Sequence, residues 1–329
     1  MDEQKTELKR PRSWPRLLLI AAMGMGYGLV MMTIFRQPGM SGQGAGVALL
    51  AFLVLVPLGI GALSAATVPR AVRTPGRVIS VALTTGGIFM LAAALAFPGV
   101  LLCVLMAAPF VVIPLIIGAL LNWYASRRGE KPKRQYAFTG LVLLLPLLVG
   151  PFEAMLEPPT WIRTVEDSVI IAGTPEAVWE QIIRMTEIDP ADQRPSWYHT
   201  LGIPRPMYAT LDGEGVGAVR MGHFAEGLLF REEITMWEPY TAVRFSVDVE
   251  QNGASTPVLR QIGGAHFDIL DAGYRIEAVD DAHVRLTLNS TYRLSTNFNF
   301  YGAFWADWIM HDFQRYVLNT AQVRVATLP

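Results

Sequence analysis

The chain has 329 residues, 52% of them hydrophobic, and a formal net charge of −1. That near-neutrality is a cancellation: residues 1–151 carry fourteen Lys/Arg against four Asp/Glu, and residues 152–329 carry thirteen against twenty-four. The acidic second half excludes nucleic acid as its partner, and the single cysteine, Cys103, excludes an intramolecular disulfide and a thiolate metal cluster.

A lipid-spanning helix needs about 20 apolar residues to cross about 30 Å of hydrocarbon. After a basic tail over 1–16, five stretches meet that requirement: 17–35, 45–68, 78–97, 100–124 and 136–156. Pro98-Gly99 separates the third from the fourth and predicts a tight helical hairpin. Pro146 and Pro151 interrupt the fifth, and lipid-spanning helices tolerate proline better than soluble ones.

Basic residues in the short loops set the expected orientation. The tail and the second and fourth loops hold thirteen Lys/Arg, whereas the first and third loops hold only Arg36. The expectation is a multi-pass protein of a bacterial cytoplasmic (inner) membrane, with a cytoplasmic N-terminus and an extracytoplasmic C-terminal domain. If the fifth stretch does not span, that domain lies in the cytoplasm instead. Residues 17–35, 45–68, 78–124 and 136–150 hold no Asp, Glu, Lys, Arg or His, so the span interiors offer no ion path or proton relay. All five histidines lie in the second half, so no haem-type cofactor is expected among the spans. Small residues, Gly24, Gly26 and Gly28 or Gly59, Gly61 and Ala65, allow helices to approach closely, within the bundle or with other membrane-protein subunits.

From Thr160 the pattern changes. Trp161–Ile171 reads as a strand, and Thr174-Pro175-Glu176 starts a helix with Val178, Trp179, Ile182 and Ile183 on one face. A proline-rich stretch follows, then strands at 208–211, 217–224, 228–237, 242–250, 265–271, 274–279 and 283–294. A helix over 300–325 closes the chain; its expected apolar stripe includes Tyr301, Phe304, Trp305, Trp308 and Phe313, opposite Asp307, His311, Gln314 and Arg315. The expected fold is an α-helical transmembrane bundle plus an α+β domain, an antiparallel sheet wrapped around a long helix.

Three segments carry a family resemblance: VIIAGTPEAVWEQI (169–182), FREEITMWEPYTAVRFSV (230–247) and GYRIEAVDDAHVRLTLNSTYRL (273–294). They resemble the SRPBCC, or START-like, superfamily of polyketide-cyclase and birch-pollen-allergen relatives, over 160–329 only. The resemblance implies a helix-grip fold with a deep, mostly apolar cavity between the sheet and the last helix. It implies a hydrophobic small molecule or lipid as ligand.

Tyr301, Phe304, Trp305 and Trp308 are the side chains expected to line that cavity, joined by His223 and Phe230; the same aromatics serve equally as core packing. His266 is a further strand histidine, and Tyr198-His199 beside Trp197 could gate the mouth. Asp307 and His311 read as a solvated i, i+4 pair. No metal site, catalytic constellation or nucleotide-binding motif is present. The chain therefore reads as a membrane-anchored, non-catalytic binding module for an apolar ligand. The alternatives are an accessory subunit of a membrane assembly and a cyclase/dehydratase-type enzyme.

Overall fold

In a computed structural model of the chain, the described residues are 14–35, 37, 49–96, 101–127, 132–185, 188, 199, 203–250 and 259–327. They belong to two compact units, Met1–Phe97 with Cys103–Glu157, and Pro158–Pro329 with Pro98–Leu102. The Pro98-Gly99 turn, most of the basic tail, Trp197 and Tyr198 lie outside the described residues.

The first unit contains α1 (Trp14–Phe35), α2 (Val56–Ala66), α3 (Pro75–Ala96), α4 (Leu101–Arg127) and α5 (Pro132–Ala154). Among the described residues, three stretches are long and apolar enough to cross a membrane: Pro75–Ala92, Leu101–Arg127 and Gln135–Ala154. The expected five is corrected here. The first two stretches are represented by shorter apolar helices, Ala22–Phe35 and Ala51–Ala66. For the second, both ends have a physical stop. Its amides at Leu50 and Ala51 each donate to the Glu153 carboxylate at 2.7 Å, a charge-assisted cap on a helix N-terminus. At the other end the Thr67 amide folds back onto Ser64 O and Pro69 follows.

Two glycines explain how these helices pack. A Cβ on Gly61 would lie 2.0 Å from Leu115 O, and one on Gly118 would lie 2.0 Å from Leu58 O. α2 and α4 therefore touch backbone to backbone, which any side chain would prevent. Gly26 faces open space. Leu29, Val30, Leu91, Leu105, Ile113 and Leu148 point outward and exposed, so these helices are apolar on both faces, as a lipid-facing bundle is. A polar knot closes one end: Arg73 Nη2 donates to Ala65 O and to Asn122 Oδ1, and Asn122 Nδ2 donates to Thr139 Oγ1 at 2.7 Å.

The second unit comprises β1 (Thr160–Ala172), α6 (Pro175–Ile183), β2 (Pro206–Asp212), β3 (Val219–Phe224), β4 (Leu229–Glu238), β5 (Ala242–Glu250), β6 (Phe267–Ala278), β7 (His283–Ser295) and α7 (Asn299–Ala326). The strands form one sheet in the order β1-β7-β6-β5-β4-β3-β2, with every pairing antiparallel. This meander with a long closing helix fits the helix-grip fold. Thr174 caps α6 by accepting from the Ala177 amide at 3.3 Å. Two expected strands, 265–271 and 274–279, are one strand with a bulge between Ile269 and Asp271. Gly273 makes no turn; it lets β5 come close, since a Cβ there would meet Val243 O at 2.8 Å.

β1 is an edge strand, and α7 packs on it through two amide side chains: Gln314 Nε2 donates to Val165 O and to Ser290 Oγ of β7, both at 3.0 Å, and Gln322 Nε2 donates to Ile170 O at 2.9 Å. Gln314 is therefore fully buried, against its expected place on the polar face of the helix. The buried side of α7 is built from small residues, Gly302, Ala303 and Ala306, then Met310, Gln314 and Val317. That close approach to the sheet turns Phe300, Phe304 and Trp308 outward.

Candidate functional site

A cavity of about 60 Å³ lies in the second unit, between the sheet and α7. Most of its wall is apolar, including Phe230, Phe245, Val247, Ile269, Leu288 and Met310. Such composition suits an apolar guest. The volume is well below the ~150 Å³ of an engineered cavity that accepts benzene, so this conformation has room for a few waters only.

Two charged residues stand in that wall. Arg220 on β3 and Glu232 on β4 are direct cross-strand partners, both buried. Arg220 Nη1 donates to Glu232 Oε2. Its Nε and Nη2 donate to Ile183 O and Ile182 O, each at 3.3 Å. These are the last carbonyls of α6, so the guanidinium also answers the negative end of that helix. The Tyr274 hydroxyl lies against Arg220, and the Phe245 ring is 5.7 Å away. Burial holds the Glu232 carboxyl above the ordinary carboxylate range, with Arg220 pulling the other way. Burial pushes Tyr274 up to about 12, so it stays a neutral hydroxyl at ordinary pH.

The cavity's half-exposed end is formed by Tyr208, His223 and Phe224. His223 stacks on Tyr208 with ring centroids 4.2 Å apart. Phe224 contacts Phe230 at 4.5 Å and Phe313 at 6.0 Å.

Of the side chains expected to line the cavity, His223 and Phe230 are in its wall; Tyr301, Phe304, Trp305 and Trp308 are not. These four form their own ring cluster near the start of α7, with Trp305–Trp308 centroids at 5.5 Å and Tyr301–Trp305 at 6.4 Å. Within that cluster Trp305 is buried, while Phe304 and Trp308 are exposed. His266 precedes β6 and its Nδ1 meets Ser295 O at 3.0 Å. His199 Nδ1 meets Ile203 O at 2.9 Å, its ring edge lies on Tyr316, and burial lowers its pKa.

Asp307 and His311 do not pair with each other. Asp307 accepts from Arg163 and from the Tyr292 hydroxyl, both at 2.7 Å, while His311 meets Asp167. Among the described residues no group of three His, Cys, Asp or Glu could hold a metal ion.

The sequence carries one signal of the Arg220–Glu232 pair. Phe230, Glu232 and Ile234 share a strand face, since side chains alternate, and a carboxylate between two core residues marks an inward charge.

No protein-family model matches the chain, and no curated protein matches it. Among solved structures, the Zhui aromatase/cyclase from Streptomyces sp. R1128 is similar at 14% identity and a TM-score of 0.34, covering 50% of this chain and 94% of that one. A protein from Rhizobium leguminosarum matches at 9% identity and a TM-score of 0.33, covering 53% and 100%. Ara h 8.0201 matches at 12% identity and a TM-score of 0.32, covering 51% and 100%. With scores this low, the fold assignment rests on the strand order and closing helix described above.

Proposed function

We propose that this is a membrane-anchored protein whose second unit binds an apolar small molecule or lipid without chemical turnover, outside the cytoplasm. The observation that carries the reading is the wall of the cavity: mostly apolar side chains around one buried, internally paired Arg220–Glu232 couple. The apolar helices of the first unit support the anchoring. Because the cavity now holds only about 60 Å³, a ligand enters by displacing side chains. Met185, Met310 and Phe313 are in the wall, and methionines repack easily.

The test is mass spectrometry of the full-length protein purified from its native membrane, paired with titration of a fluorescent acyl probe. A co-purified apolar molecule that competes with the probe, and loses affinity when Phe230 is replaced by Asp, is expected. Absence of any bound molecule and of probe binding would overturn the reading. Glu232 favours a second reading, an acid–base enzyme of cyclase or dehydratase type, because burial raises its pKa inside the cavity. Turnover of a bound polyketide-like substrate that Glu232→Gln abolishes, with folding intact, would establish it.

A further inference from the structure

We propose that the aromatic end of the second unit rests in the interfacial layer of the lipid bilayer. This inference depends on the membrane anchoring proposed above. Phe300, Phe304 and Trp308 recur at i, i+4, i+8 on α7 and are 71%, 62% and 45% exposed. Trp161, near the start of β1, is 40% exposed and shares the sheet face of Val165, which α7 covers. Farther along α7 the same side of the helix carries Asp312 and Arg315, so the aromatic stripe is confined to one end.

Chain connectivity places this end at the membrane. Five residues, 155–159, join α5 to β1, so β1 cannot begin more than about 22 Å along the chain from the end of α5. The start of α7 is tied to the same point, since Asn299 Nδ2 donates to Pro159 O at 2.5 Å. Charge agrees. The second half is strongly acidic, yet residues 294–306 contain no charged side chain. A neutral aromatic end can approach anionic headgroups that the rest of the domain's charge would repel. Trp and other aromatic rings favour the boundary between headgroups and acyl chains.

Single spin-labelled cysteines test this in the full-length protein, with the lone Cys103 first replaced by Ala, in nanodiscs of phosphatidylethanolamine and phosphatidylglycerol. Labels go on Phe304→Cys, on Val279→Cys in the β6–β7 turn beside the far end of the β1–β7 pair, and on Leu105→Cys on the outer face of α4. Collision with oxygen reports lipid and collision with a nickel chelate reports water. The expected oxygen-to-nickel ratio at 304 is several-fold above that at 279. A water-exposed label at 304 with a lipid-exposed label at 105 would overturn the proposal while leaving the anchoring intact. A label at 304 shielded from both reagents means a protein partner or second copy covers the patch, which overturns it too. A water-exposed label at 105 removes the anchoring and this inference with it.

Discussion

Replacing Arg220 by Met tests the reading of the cavity wall most directly. Met has a similar reach but removes the charge, leaving the Glu232 carboxylate buried without its cation and the carbonyls of Ile182 and Ile183 without their donor. Breaking one partner of a buried pair costs about 3–5 kcal/mol. In a domain of this size each kcal/mol lowers Tm by about 2–4 °C, so a drop of roughly 10–15 °C is expected. The double variant Arg220→Met/Glu232→Leu removes the stranded carboxylate and leaves only the two carbonyls, so it recovers most of the loss. Near-UV circular dichroism of the full protein in detergent reads the transition, since Trp179 and Trp237 pack edge-on at 5.0 Å in the neighbouring core. A single variant melting within about 2 °C of wild type, a drop of about 1 kcal/mol at most, would refute the buried couple. So would a double variant less stable than the single one.

Gly61→Ala and Gly118→Ala should each disrupt the first unit, because the added methyl would lie 2.0 Å from a backbone oxygen; Gly26→Ala should be neutral, and size-exclusion profiles in detergent separate the two classes. Tyr274 gives a pH signature. Its folded value of about 12 exceeds the ordinary 10.0, so the native state keeps a proton that the unfolded chain releases. Stability present below pH 10 is therefore lost as pH rises from 10 through 12, by up to about 3 kcal/mol; Tyr274→Phe should flatten that loss in alkaline denaturation, and an unchanged profile would count against a buried hydroxyl. Gln314→Leu should uncover Val165 O and cost about 1–3 kcal/mol, read as a lower Tm and faster amide exchange along β1.

The second unit was legible where period and punctuation agree. The Thr174 cap and the Pro175 start defined α6, and the alternation through Ala242–Glu250 gave β5 its exact bounds. Legibility failed where a residue type argues one way and a distant neighbour another. Gly273 reads as a break, yet it is the point where β5 and β6 backbones come together. Gln314 reads as solvent-facing because an amide prefers water; Val165 O and the Ser290 hydroxyl, on paired strands, accept from it instead. Phe304 and Trp308 read as core because they are large and apolar. Small Gly302, Ala303 and Ala306 take the buried side instead, since they let the helix approach the sheet. As for the site, His223 and Phe230 could be named from their strands, whereas the Arg220–Glu232 couple required the β3–β4 register.

The same blind spot recurs in the first unit, and its cause is specific. Helix ends are recognised in sequence by neighbours: a Thr before the first turn, a Gly after the last. Two helix ends here are completed from far away. Glu153 caps the start of the helical stretch at Leu50 and Ala51 from about a hundred residues downstream, and Arg220 answers the end of α6 across 37 residues. In each case a charged side chain is placed against the helix end of opposite partial charge. That placement also gives Glu153, next to the end of α5, a role in a second helix. Glu153→Gln should keep one of the two amide contacts and lose the charge, loosening the start of the second apolar helix while α5 itself stays helical. Amide exchange at Leu50 and Ala51 several-fold faster than in wild type, with α5 protection unchanged, is the expected result; equal protection at both amides would show that the helix start is held by something other than this carboxylate.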